Sequence, residues 1–156
     1  MRLIGIAGAV FAVVHLFALA WGGNMTPTLG VLAATGYLSS LGLFWWAVAT
    51  NRWSPLSAAF SDDAPRWLVR DGPYRLIRHP FYCSYLLAWA SGAVATLEWW
   101  VIATVIVMLA IYLYAARSEE RKFQSSELAE TYRSYRESTG LFAPNPRKLL
   151  TARRGR

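Results

Sequence analysis

Cysteine occurs once in this 156-residue chain, as Cys83, which excludes an internal disulfide framework. Histidine occurs twice, at His15 and His79, and neither sits in a spacing that would assemble a metal site. Charge is scarce as well: 16% of the residues are charged, against about 25% in an ordinary soluble domain. No internal repeat or low-complexity tract is present. The net charge of +7 raises nucleic acid as a partner, but its distribution argues against one, because the basic residues flank long apolar runs. What the chain has in quantity is hydrocarbon. It is 55% hydrophobic and carries eight Trp, which points to lipid.

Four apolar segments stand out, at residues 3–21, 29–50, 81–97 and 99–116. A helix crosses a bilayer with roughly 20 apolar residues, within a range of about 17 to 25, so all four qualify and the third is at the short end. The first also has the outline of a signal peptide, with Ala-Leu-Ala at 18–20, but Arg2 alone is a poor basic leader, and a span is the better reading. The linker "GGNMTPT" has no charge, and the third and fourth segments part at Glu98 with no Lys or Arg between them. Every Lys and Arg therefore falls at the N-terminus, in residues 51–80, or in the tail from Arg117. If all four segments span, these regions share one face, and the positive-inside rule makes that face cytoplasmic. The expected fold is all-α: one domain over residues 1–156, an integral membrane protein with four transmembrane helices, the last two a helical hairpin, plus a cytoplasmic C-terminal amphipathic helix. Both termini are expected in the cytoplasm, and the membrane is read as a bacterial inner membrane. Trp45, Trp46, Trp99 and Trp100 lie near span ends, where indoles anchor at the interface.

The cytoplasmic material comes in two pieces, residues 51–80 and 117–146. Pro55, Pro65 and the Asp71-Gly72-Pro73 turn break the first into irregular chain. The second, "RSEERKFQSSELAETYRSYRE", is rich in helix formers, and Leu128, Tyr132 and Tyr135 make one apolar stripe. It reads as a helix that continues from the fourth span or breaks just after it, and that ends near Thr139-Gly140. The last residues, "RKLLTARRGR", read as a basic tail near anionic headgroups.

One stretch carries chemistry: "GPYRLIRHPFYCSYLL", from Gly72. Pro80 suits the first position of the third helix, where its missing N–H costs nothing, and His79 then falls at or near the N-cap. A helix start beside Arg75 and Arg78 favours an anion, although the same pattern also serves a plain positive-inside helix start. A short turn at Glu98 makes the third and fourth helices antiparallel neighbours, so His79–Tyr82 should meet Arg117–Glu120. An imidazole, a phenol, guanidinium groups and two carboxylates suit a zwitterionic ligand. Cys83 reads as a small packing residue and His15 as a neutral, structural histidine within the membrane.

The order "GPYRLIRHPFYCSYLL", an apolar hairpin, "EERKF" and "YRSYRESTGLFAP" resembles the isoprenylcysteine carboxyl methyltransferase and phospholipid methyltransferase superfamily. Its pattern is G-P-Y-x-x-x-R-H-P-x-Y, a hairpin, E-E, then Y-x-x-Y before a proline, and it covers residues 72–144. The resemblance implies an integral membrane enzyme that uses S-adenosylmethionine. It places the cofactor on Tyr74, Arg78, His79, Pro80, Tyr82, Glu119 and Glu120, with His79 and Glu120 as the catalytic pair and no metal. Arg78 and the helix start would take the cofactor's carboxylate, Glu119 or Glu120 its ammonium, and Tyr82 or Trp67 its adenine or sulfonium. The departures are Ser84 where the family often has Gly, "SSELAE" in place of a Phe-Gly turn, and "TGLFAP" in place of Val-Pro-Arg. They bear on the methyl acceptor, which is expected to be a lipophilic small molecule or a lipidated one reaching the enzyme through membrane lipid. A carboxylate or thiolate acceptor needs no base, whereas an amine must lose a proton, to His79 or a Glu. The alternatives are an NADPH-dependent reductase of the sterol-reductase type, which resembles the same hairpin and tail, and a non-enzymatic membrane scaffold.

Overall fold

A computed structural model of the chain describes residues 2–21, 25–52 and 67–146. Among these the structure is all-helical. The helices are α1 (Arg2–Trp21), α2 (Pro27–Asn51), α3 (Pro80–Thr96), α4 (Trp99–Gln124) and α5 (Ala129–Ser138), with one 3-10 turn at Gly72–Arg75 and no strand among the described residues. The expectations for residues 53–66, including Pro55 and Pro65, and for the basic tail from residue 147 lie outside the described residues.

Local chemistry sets the helix ends. Thr26 Oγ1 accepts the Leu29 N–H at 3.3 Å and Pro27 follows it, so α2 opens on a side-chain cap with proline at the first helical position. At the start of α3 the His79 carbonyl accepts the Cys83 N–H at 3.0 Å, which makes His79 the cap residue and Pro80 the first of the helix. Leu97 and Glu98 alone join α3 to α4. Leu97 adopts φ 53°, a left-handed conformation that is unusual for leucine and that reverses the chain in two residues. The hairpin expected at Glu98 is therefore a tight one. The fourth helix outruns its apolar segment and continues to Gln124, so Glu119 and Glu120 ride on its last turns. Of the two expectations for the tail, continuation of the fourth helix holds as far as Gln124, and the break comes at Ser125–Leu128, before α5.

Among the described residues, two helices, α2 and α4, are long and apolar enough to cross a membrane. The helix α1 has 20 residues and α3 has 17.

By its contacts the chain forms two compact units, one of Met1–Gly42 with Ser84–Tyr114 and the other of Leu43–Cys83 with Ala115–Arg156. The first is built for lipid. Many of its large apolar side chains point outward, with Val13, Leu16, Leu38 and Ile106 all exposed, while Met108 and Val101 are buried together with small and polar ones such as Ala18, Ala33, Ser91, Thr104 and His15. Helices in lipid pack in this way, through small residues and side-chain hydrogen bonds, because hydrocarbon outside removes the drive to bury leucine. His15 Nε2 lies 2.8 Å from Thr104 Oγ1, which itself donates to the Val101 carbonyl at 2.7 Å. Thr104 must then accept, so His15 carries a proton on Nε2. The ring also meets Trp89 edge-on with centroids 5.0 Å apart. Gly92 makes room for this pair, since a methyl group there would collide with His15 Nδ1 and crowd the Tyr37 hydroxyl. Gly92→Ala is expected to displace the imidazole from Thr104 at a cost of about 1–3 kcal/mol, the usual range for overpacking a tight contact, read as a lower thermal midpoint in detergent.

Candidate functional site

The second unit gathers the polar residues. Gly72 opens its 3-10 turn at φ +54°, where a side chain would be strained and would also strike Thr50 Oγ1, so only glycine fits. The turn presents Tyr74, whose hydroxyl accepts from Asn51 Nδ2 at 2.5 Å and whose carbonyl accepts from the Tyr135 hydroxyl at 2.7 Å. Residues 76–79 then run beside the segment after α5. Gly140 N–H donates to the Leu76 carbonyl at 3.2 Å, Arg78 N–H to the Gly140 carbonyl at 2.8 Å, and His79 N–H to the Leu141 carbonyl at 3.3 Å, in a short parallel bridge. A side chain on Gly140 would run into the Ala143 carbonyl.

This pairing delivers Arg78 and His79 to the end of α4. Arg78 donates through Nε to Glu120 Oε1 at 2.7 Å, and through Nη1 to the carbonyls of Thr139 at 2.5 Å and Arg136 at 3.2 Å. The same guanidinium thus pairs a carboxylate and caps the free carbonyl end of α5. Glu119 accepts from the Tyr82 hydroxyl at 2.5 Å on Oε1, and its Oε2 lies 3.4 Å from His79 Nδ1. Glu120 Oε1 lies 3.6 Å from His79 Nε2, and its Oε2 lies 4.0 Å from Arg136 Nε. The His79 ring faces Tyr82 nearly parallel, with centroids 5.7 Å apart, and meets Phe142 edge-on. The side chains of Arg78, His79 and Glu120 are 10% exposed or less, so these are interior charges.

Electrostatics follows the geometry. Burial would raise the Glu120 carboxyl, but the nearby His79 ring and the bond from Arg78 outweigh that and hold it at about 2. Burial would lower the His79 imidazole, yet the two carboxylates of Glu119 and Glu120 on either side raise it above its ordinary value. Burial, followed by the charge of Glu120, pushes the Tyr132 phenol up, and burial likewise pushes up Tyr135. At 3.6 Å the approach of His79 Nε2 to Glu120 is longer than a hydrogen bond. Nε2 is the one buried side-chain polar atom without a bond among the described residues.

Of the residues singled out in the sequence, the structure brings together Arg78, His79, Tyr82, Glu119 and Glu120. Tyr74 sits beside them, held by Asn51 and Tyr135, and Pro80 is fully buried at the start of α3. Trp67 is largely exposed. Sequence reasoning passed over Asn51 and Arg136, read Thr139 only as a helix end, and read Tyr132 and Tyr135 as an apolar stripe and as the Y-x-x-Y of the family pattern. Both tyrosines are buried as that stripe predicts, and Tyr132 stacks on Phe123 at 4.7 Å. Their hydroxyls were the available signal, since a buried phenol seeks a polar partner.

Residues 19–132, well over half of the chain, match the phospholipid methyltransferase family. The chain is also 30% identical over 135 residues to a methanethiol S-methyltransferase of Pseudomonas sp. (strain GM41(2012)), an alignment that covers 84% of this chain and 45% of that protein. This chain therefore spans about half the length of the curated relative it matches. No solved structure gives a significant match. The resemblance read from Gly72 to Pro144 is borne out: the chain belongs to the phospholipid methyltransferase family of membrane methyltransferases.

Proposed function

We propose that the chain transfers a methyl group from S-adenosylmethionine to a lipophilic acceptor at the membrane surface, with the cofactor held by Tyr74, Arg78, His79, Pro80, Tyr82, Glu119 and Glu120. The observation that carries this reading is the buried, mixed-charge cluster with a donor atom to spare: His79 Nε2 lies in the interior without a hydrogen bond. Buried polar atoms are seldom left so, and an unsatisfied one marks a place for a ligand or an ordered water. Both signs of charge are at hand for a zwitterion.

Bound there, S-adenosylmethionine would supply an electrophilic methyl group on a sulfonium. The chain's own residues bind and orient. Arg78 spends Nε and Nη1 on Glu120 and α5, and Nη2 is the nitrogen a ligand carboxylate would take. Glu119, which faces His79 and Tyr82, suits an ammonium, and the Tyr82 ring suits the face of a cation. Most of the rate enhancement would come from alignment, since methyl transfer is an in-line displacement. His79, which carries the unpartnered Nε2, and Glu120, 3.6 Å from it, would stand at the reacting end.

The membrane setting extends this. With α1 and α3 spanning beside α2 and α4, four spans would leave both termini and the site on the cytoplasmic face, as the distribution of Lys and Arg requires. An acceptor with an apolar body would then reach the site from the bilayer. Isothermal titration of the purified protein in nanodiscs with S-adenosylhomocysteine and, separately, NADPH tests the cofactor. Heat with the first and none with the second is expected; the reverse pattern would move the chain to the reductases. Turnover of acceptors matched in nucleophile and differing in alkyl length tests the approach. Catalytic efficiency is expected to climb with chain length, and equal values for short and long chains would exclude entry from lipid.

A further inference from the structure

His15 is an ionisable side chain inside an apolar helix, and nothing in methyl transfer at the His79 cluster uses it. Such residues are costly in hydrocarbon and mark functional sites by default. The residue is 5% exposed, and its Nε2–H is spent on Thr104 Oγ1 at 2.8 Å. None of α1, α2 and α3 contains an Asp or Glu, and the first carboxylate of α4 is Glu119, near its far end. An imidazolium at position 15 would be a buried charge without a counter-ion, so the ring is neutral and Nδ1 carries a lone pair. Thr104 and the edge-on ring of Trp89, itself bonded to the Tyr112 hydroxyl at 3.3 Å, hold that lone pair in a fixed direction.

Nδ1 is not sealed off as His79 Nε2 is, and it makes no hydrogen bond among the described residues. It packs against Gly92, 2.2 Å from the point where a methyl group on that residue would stand, and the Tyr37 hydroxyl lies 2.9 Å from the same point. That hydroxyl too is unbonded among the described residues. A lone pair and a hydroxyl thus converge without partnering each other, near enough for one oxygen to bridge them with hydrogen bonds of about 2.8 Å on each side. We propose that this is a binding site for the hydroxyl of an uncharged, lipophilic alcohol, which donates to His15 Nδ1 and accepts from the Tyr37 hydroxyl.

The chemistry of the site selects that class. A ligand without a proton to give, such as an ether or an ester, leaves Nδ1 unsatisfied, and a charged headgroup finds no counter-ion. Gly92 has no room even for a methyl group, which limits the polar part to something as small as a hydroxyl. A buried water usually makes about three hydrogen bonds, and only two polar atoms converge here. A hydroxyl needs just those two, because its third direction is taken by carbon. Tyr37 is 37% exposed on the membrane-length helix α2, beside the exposed Leu38 and Leu41, so the site opens onto an apolar surface that suits the ligand's hydrocarbon body. It shares no residue with the His79 cluster and does not rest on the methyl-transfer reading.

The experiment uses the full chain in nanodiscs with nitrogen-15-labelled histidine, the two imidazoles being told apart by the contact of the His15 ring with Trp89. The probes are dodecanol, dodecyl methyl ether, which accepts a hydrogen bond but has none to donate, and dodecane. Without a probe, His15 Nδ1 is expected to resonate as a bare imidazole nitrogen. Dodecanol is expected to move it, saturably, toward the protonated range, and the ether and the alkane to leave it in place. Tyr37→Phe, a change on a part-exposed side chain, is expected to weaken dodecanol binding about 2- to 10-fold, the worth of one neutral hydrogen bond. Four results would overturn the proposal: an Nδ1 that carries a proton, one that dodecanol does not move because a water holds it, one that the ether or the alkane moves equally, or undiminished binding in Tyr37→Phe.

Discussion

Arg78→Ala is expected to destabilise the protein by about 3–5 kcal/mol, the range for removing one partner of a buried ion pair. The loss has two sources. Glu120 would stay behind as a buried carboxylate 7% exposed, with the Tyr132 hydroxyl and, at longer range, His79 and Arg136 as remaining partners. The Thr139 and Arg136 carbonyls would lose the donor that closes α5. Arg78→Lys should recover little, because one ammonium cannot reproduce a planar fork that reaches a carboxylate and two carbonyls at once. The measurement is thermal unfolding in nanodiscs together with limited proteolysis. The variant should be cut between α4 and α5 at protease levels that leave the parent intact. A variant as stable and as resistant as the parent would show that Arg78 does not anchor α5. Affinity for S-adenosylhomocysteine is expected to fall with stability, since the same residue orders the proposed site.

That dual use of Arg78 marks the limit of what the sequence could reveal. The apolar segments were legible because hydrocarbon length is a one-dimensional property, and apart from the end of α4 the helix bounds fall within a few residues of those segments. The start of α3 was legible too, since Pro80 and the residues around it act locally. The meeting of Arg78, His79 and Tyr82 with Glu119 and Glu120 followed from a tight turn at Glu98. The bridge between Ile77 and Gly140 was not legible, nor were the bonds from Arg78 to the end of α5. Those contacts join residues some 60 positions apart through backbone carbonyls, which carry no residue-specific signal. A guanidinium read for its charge alone is naturally assigned to a ligand, and its geometry here shows that it also holds the chain together.

The complementary substitution, Glu120→Gln, keeps the shape of the side chain and removes its charge, and it should be nearly as costly as the loss of Arg78. Arg78 would be left buried at 9% exposure against an amide, and a buried cation short of its anion falls under the same penalty of about 3–5 kcal/mol. The two changes act on one interaction, so the double variant should be far less damaged than the sum of the singles, and simple additivity would argue against their coupling. The pH dependence separates the charge from the packing. Glu120 is held at about 2, below its ordinary 4.5, so the stability it confers is present above pH 4.5 and is lost as pH falls toward 2. His79 is raised above 6.5, so its contribution is complete below that value and is lost as pH rises through its folded pKa. In Glu120→Gln the acid-side loss should disappear, and the alkaline loss should shrink and begin at lower pH, because only Glu119 remains to hold the imidazolium. Unfolding curves recorded from pH 3 to pH 9, with the His79 ring followed by NMR in the same samples, check both limbs. A variant whose His79 titrates where the parent's does would show that Glu120 does not set the charge of that ring.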